Sequence, residues 1–136
     1  MHVRVCGLLV IALAVCGFTA CGQQAAPGST RDQPGIVGRV HLGPQCPVER
    51  QGFPCPDKPA EGATVTVAKH GPEHLNVRGP VVARTTTDAQ GSFRVGLIPG
   101  TYVVTADAGM SCELVVARVI GGSDAKVDIQ CDTGIR

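Results

Sequence analysis

The residues His70-Gly71-Pro72-Glu73-His74 spell H-x-x-E-H, the spacing with which metal-dependent peptidases hold a zinc ion between two imidazoles with a glutamate beside it. Such a site needs both histidines on one face of a helix. Gly71-Pro72 opposes that helix, because proline has no amide to donate and its ring clashes with the preceding turn. No third ligand on a downstream helix accompanies the pair. The segment therefore reads as a solvated loop, with His70, Glu73 and His74 as weak metal ligands at most and His41 as a further candidate. Covalent catalysis fares no better, since Ser29, Ser92, Ser111 and Ser123 all lie outside a G-x-S-x-G elbow. Asp88 and Gln90 lack the alternating acids of a calcium loop and fit a turn. Arg39, Arg84 and Arg94 fall on outward strand positions and read as a solvated face. No catalytic residue and no cofactor is expected.

Seven cysteines remain to be placed, and the chemistry expected of them is oxidation. Cys6, Cys16 and Cys21 precede the candidate domain, which leaves Cys46, Cys55, Cys112 and Cys131. Eight residues separate the first two and 18 the last two, which does not match the C-x₂₋₄-C knuckles of zinc sites. Four thiols in an exported domain read as two disulfides, though four cysteines allow three pairings. Register helps to choose. Gly121-Gly122 suits a two-residue hairpin turn between runs 112–120 and 125–131. That turn sets Cys112 opposite Cys131, Leu114 opposite Ile129 and Val116 opposite Val127 on one buried face. Polar pairs such as Glu113 and Gln130 fall on the wet face. The register favours Cys112–Cys131, and Cys46–Cys55 follows by elimination.

Disulfides require export, and the N-terminus supplies an address. His2 and Arg4 precede an apolar run of 16 residues, Val5 to Ala20, shorter than the ~20 that cross a bilayer comfortably. A charged start, a short apolar centre and small residues at the end describe a secretory signal over 1–20. Phe18-Thr19-Ala20-Cys21 resembles the lipobox of bacterial lipoproteins, with phenylalanine where leucine is usual. The resemblance implies that Cys21 carries acyl chains of the palmitate kind and becomes the first residue after cleavage. Each buried CH₂ contributes roughly 0.8 kcal/mol, so two or three such chains hold a small protein at a membrane. Residues 21–34 are then the lipidated cysteine and a Gly-, Gln- and Pro-containing flexible tether. The expected location is extracytoplasmic, anchored to the cell membrane by lipid.

The elements that position these residues are legible in composition and period. Lys and Arg number 12 against 11 Asp and Glu, so no basic footprint for nucleic acid stands out. With no Trp, one Tyr and three Phe, there is little material for stacking on bases or sugars. Gly and Pro supply 28 of 136 residues, which disfavours a helical bundle and predicts short elements joined by turns. Alternation marks inward residues Ile36, Val40 and Leu42, then Ala63, Val65 and Val67. It marks Phe93, Val95 and Leu97, then Tyr102, Val104 and Ala106, with a β-branched run at 81–87 between the two sets. Asp88 to Gly91 fits a type I turn, and Pro99-Gly100 the centre of a type II turn with glycine at positive φ. With the Cys112 hairpin, these runs predict a seven-stranded antiparallel β-sandwich over 35–132 and a tail at 133–136. Two long connections, 43–61 with five prolines and 70–80, are the expected binding loops.

Several of these runs, in order, resemble the carboxypeptidase regulatory-like domains: Gly35-Ile36-Val37-Gly38-Arg39-Val40, Gly62-Ala63-Thr64-Val65-Thr66-Val67, Thr87-Asp88-Ala89-Gln90-Gly91-Ser92-Phe93 and Pro99-Gly100-Thr101-Tyr102. The likeness covers about 35–106 and implies a transthyretin-like β-sandwich with an accessory or binding role rather than catalysis. Hydroxyisourate hydrolases of that fold end in Tyr-Arg-Gly-Ser, whereas Cys131-Asp132-Thr133-Gly134-Ile135-Arg136 stands here. The expected molecule is a non-enzymatic envelope lipoprotein that meets the membrane through Cys21. Its loops 43–61 and 70–80 would meet an envelope protein or polymer. A weak metal carrier using His70 and His74 is the alternative.

Overall fold

The computed structural model describes residues 33–72 and 78–136. The expected signal over 1–20, Cys21, and Glu73 and His74 of the H-x-x-E-H segment lie outside the described residues. Among the described residues there are nine strands and no helix. These are β1 (Gly35–Gly43), β2 (Lys58–Pro59), β3 (Thr64–His70), β4 (Arg78–Thr86) and β5 (Ser92–Gly96), followed by β6 (Gly100–Asp107), β7 (Ser111–Cys112), β8 (Val115–Val119) and β9 (Ala125–Asp132). The two strands beyond the expected seven, β2 and β7, have two residues each.

Two sheets face each other. In the first, β5 and β2 share one edge of β1, while β9 and then β7 lie on its other side. The second has the order β4-β3-β6-β8. Period-two alternation sorts each strand as expected: Ile36 and Val40 from β1, Val65 and Val67 from β3, Val104 from β6 and Ile129 from β9 are fully buried between the sheets. Gly38 belongs to the inward row of β1. A Cβ there would come within 3 Å of the Phe93 ring and a Val127 methyl, so the missing side chain lets those two close over the strand. Thr87 is the one buried polar side chain among the described residues. Its Oγ accepts from the Ala63 amide at 2.8 Å and donates to the Ala60 carbonyl, pinning the crossing from β2 to β3.

Three expectations change. The sandwich is not antiparallel throughout, because β1 and β9 pair in parallel over eight residues. β8 joins the second sheet, so β9 returns to the first from the far side of the core and runs with β1. The hairpin register holds at its ends, where Cys112 faces Cys131 and Ile120 bridges Ser123. Between those ends the runs part: Val115 to Val119 pair with β6 instead. The inward parity shifts as the chain changes sheets at Glu113-Leu114. Ala117 and Val119 are buried, while Leu114 and Val116, expected inside, are 55% and 59% exposed. Finally, Gly100 does not adopt positive φ. It begins β6, and its lack of a side chain leaves room for the Tyr102 hydroxyl to donate to the Ile98 carbonyl at 2.7 Å.

Register also fixes which loops share an end. β1 carries the chain about 30 Å, at ~3.3 Å per residue, from Gly35 at the entry end to Gly43 at the far end. Antiparallel β5 and parallel β9 place Gly96 and Ala125 at the entry end and Asp132 at the far end. β6 starts after the short turn from β5, so its antiparallel neighbour β3 ends at the entry end with His70. His70 and Arg78, which flank the second expected binding loop, therefore lie at the end opposite to the 43–61 connection.

Candidate functional site

The far end is built around the connection from β1 to β3. The Cys46–Cys55 disulfide closes it, with Cα atoms 6.0 Å apart. Inside the closed ring the Phe53 amide donates to the Arg50 carbonyl at 2.9 Å. Gly52, at φ +82°, takes the left-handed conformation that this turn needs. Both feet of the ring are held. On one side the Gln45 side-chain amide donates to the Leu42 carbonyl, and the Thr133 hydroxyl donates to that of Pro44. On the other, β2 pairs with His41 and Leu42, and the Asp57 carboxylate accepts from the Gln130 side chain at 3.0 Å. Gly43 makes that seat possible, since a Cβ there would occupy the place of the Asp57 carboxylate. The result is a fixed turn with an apolar tip: Val48 is 72% and Phe53 77% exposed. Met110, on the turn between β6 and β7, is a third exposed apolar side chain at this end, lying against Gly134. Sequence reasoning placed the loop and its disulfide but did not single out Phe53, although a lone ring in a Pro- and Cys-rich run without strand period is a readable sign of exposure.

The other candidate residues are dispersed. His70 ends β3, opposite Arg78 of the second sheet, whereas His41 lies in the first sheet with its Nε2 2.8 Å from the Asp128 carboxylate. Among the described residues no group of three or more His, Cys, Asp and Glu could hold a metal ion. Ser92 faces Arg39 in the register rather than His41. Asp88 is a turn residue: its carboxylate accepts from the Gln90 and Ser92 amides at 2.9 and 2.8 Å, and Gly91 closes the turn on its carbonyl. Arg39 and Arg84 are exposed, and Arg94 contacts the Asp124 carboxylate at 3.1 Å. Cys112–Cys131 ties β7 to β9, with Cys131 wholly inside the core.

One carboxylate is strongly perturbed. Asp132, at the end of β9, has its pKa lowered from 3.8 to about 2, first by a hydrogen bond from the Arg136 guanidinium and then by the Gly134 amide. The Arg136 and Asp132 side chains meet at 2.8 Å. This pair folds the chain back beside the Pro44 foot of the loop, where Thr133 also donates its amide to the Gly43 carbonyl at 3.1 Å.

A family model described as the carboxypeptidase regulatory-like domain matches residues 56–131, more than half of the chain. The chain belongs to this family. Its two facing sheets form the β-sandwich that the resemblance implied, and the matched segment begins just after Cys55, leaving β1 and the Cys46–Cys55 turn outside. Among solved structures, the chain is similar to the Klebsiella pneumoniae 5-hydroxyisourate hydrolase, at 20% identity and a TM-score of 0.43, covering 73% of this chain and 91% of that one. It is also similar to an (S)-allantoin synthase, at 11% identity and a TM-score of 0.40, covering 75% of this chain and 42% of that one. Likenesses at this level carry no chemistry over to this regulatory-like domain. No curated protein matches it.

Proposed function

We propose that this regulatory-like domain is the non-enzymatic part of a lipid-anchored envelope protein, and that its contact element is the Cys46–Cys55 turn. Acyl chains on Cys21 would hold the molecule to the membrane, with a signal over 1–20 removed on export. The 13 residues between Cys21 and Gly35 reach at most about 45 Å when fully extended. β1 then adds about 30 Å before the chain arrives at the turn. A partner protein or polymer of the envelope would be met there. The observation that carries this reading is that Phe53 and Val48 are about three-quarters exposed on a covalently closed, doubly clamped turn. A turn whose backbone is fixed in advance loses little backbone entropy on binding, and exposed aromatic anchors dominate interface energetics. His70 and Arg78, which flank the other expected loop, lie at the opposite end.

The test is a photo-crosslinking residue at exposed Gln51, beside Phe53, in cells that export the protein. A discrete adduct that disappears with Phe53→Ala is expected, while the purified variant keeps its thermal midpoint. Adducts of equal pattern from Gln51 and from Gly121 at the entry end would overturn the assignment of the turn. Intact mass of the membrane fraction checks the anchor separately: an acyl mass on Cys21 is expected, and an unmodified N-terminus would remove the lipoprotein reading.

A further inference from the structure

The entry end is a second surface, of opposite character to the far end. Lys69, Arg78, Arg118 and Lys126 are exposed there. Register sets them around the end of both sheets: Lys69 faces Tyr102, Arg78 faces His70, Arg118 faces Thr101 and Lys126 faces Val37. None of the four makes an ion pair with a described residue. Asp124 is the one described carboxylate at this end, and it is taken up by Arg94. Asp57, Asp107, Glu113 and Asp132 lie instead in the far half, and Asp128, midway along β9, meets His41. A formal charge of +1 for the whole chain thus conceals a molecule with a basic end and an acidic end.

The same end carries two apolar tips. Ile98 and Ile120 are each more than half exposed. They sit on the β5–β6 and β8–β9 turns, the two connections that cross between sheets at this end. Exposed aliphatic tips at the same end as Lys and Arg match the boundary between acyl chains and anionic headgroups. The chain also enters the domain here, at Gly35. The carboxylates at the far end, about 30 Å away along β1, are beyond the ~8 Å Debye length at physiological salt, and mid-strand Asp128, about 10 Å from the entry end, is taken up by His41.

We infer that the entry end docks end-on against an anionic lipid surface, seating Ile98 and Ile120 at the headgroup level and pointing the Cys46–Cys55 turn away from the membrane. This deepens the lipid-anchored reading and rests on it only for how the domain reaches the bilayer.

The three lysines, Lys58, Lys69 and Lys126, give a built-in test. The purified mature chain is trace-acetylated on phosphatidylcholine vesicles and on vesicles containing phosphatidylglycerol, and each lysine is read by mass spectrometry. On the anionic vesicles Lys69 and Lys126 should be labelled several-fold more slowly, with far-end Lys58 unchanged. High salt should abolish the difference. The double variant Arg78→Gln and Arg118→Gln should weaken anionic-vesicle partitioning of the non-acylated chain roughly thirtyfold, from the usual contribution of two surface cations. Equal labelling of all three lysines on both vesicles, or protection of Lys58 alone, would overturn the inference. If the purified chain proves to lack acyl groups, the lipoprotein reading falls, and the same labelling in excess anionic vesicles still decides this surface.

Discussion

Thr87 and Asp132 show how much a single side chain does in a domain with so small a core. The Thr87 hydroxyl serves two backbone groups at the sheet crossing. Thr87→Val keeps the shape and leaves the Ala63 amide buried without a partner, a cost of about 1–3 kcal/mol. Urea unfolding should show the midpoint falling at an unchanged slope. The effect of Asp132 depends on pH. Its carboxyl titrates lower in the folded chain, near 2, than at the ordinary 3.8, so its stabilising contribution is complete above about pH 4 and is lost as the pH falls through 2. NMR titration of the carboxyl should return a value near 2, rising toward 3.8 in Arg136→Gln. The inward residues were readable from alternation alone. The role of Thr87 was not, because its partners Ala60 and Ala63 become neighbours only when the chain crosses between sheets.

The two disulfides belong to different elements and should behave differently when removed. Cys112–Cys131 joins β7 to β9 with one sulfur in the core, so replacing both cysteines by alanine adds a packing loss to the loop-entropy loss. A destabilisation of about 3–5 kcal/mol is expected, visible as a clear drop in the thermal midpoint. Replacing Cys46 and Cys55 should cost about 3 kcal/mol or less and should abolish crosslinking from Gln51, since the turn loses its closure. Equal midpoints and equal crosslinking for the two double variants would refute this division. Hairpin register found the Cys112–Cys131 pair correctly because the turn and the cysteines sit at the fixed ends of the run. It misplaced Leu114 and Val116 between them, since pairing with β6 is a long-range choice that a local register cannot contain.

For the molecule as a whole, β1 is the keystone: it pairs with β2, β5 and β9 and contributes to one shared core. Unfolding should therefore be a single cooperative step. Tyr102 is the chain's only tyrosine and is buried in that core, so its fluorescence and the far-UV circular dichroism should report coincident transitions. Separate midpoints would mean that the sheets unfold independently. Period-two alternation, turn residues and cysteine spacing are local or strictly periodic signals, and by themselves they determined the all-β class, the inward faces of β1, β3, β5 and β6, and both disulfides. The parallel pairing of first and last strands came only from the tertiary structure. So did the placing of the 43–61 connection at the end opposite to His70 and Arg78, and the sorting of a nearly neutral composition into a basic entry end and an acidic far end. Direction along a strand and distance across a sandwich depend on which strands become neighbours, and that is settled by closing one core around residues far apart in the chain.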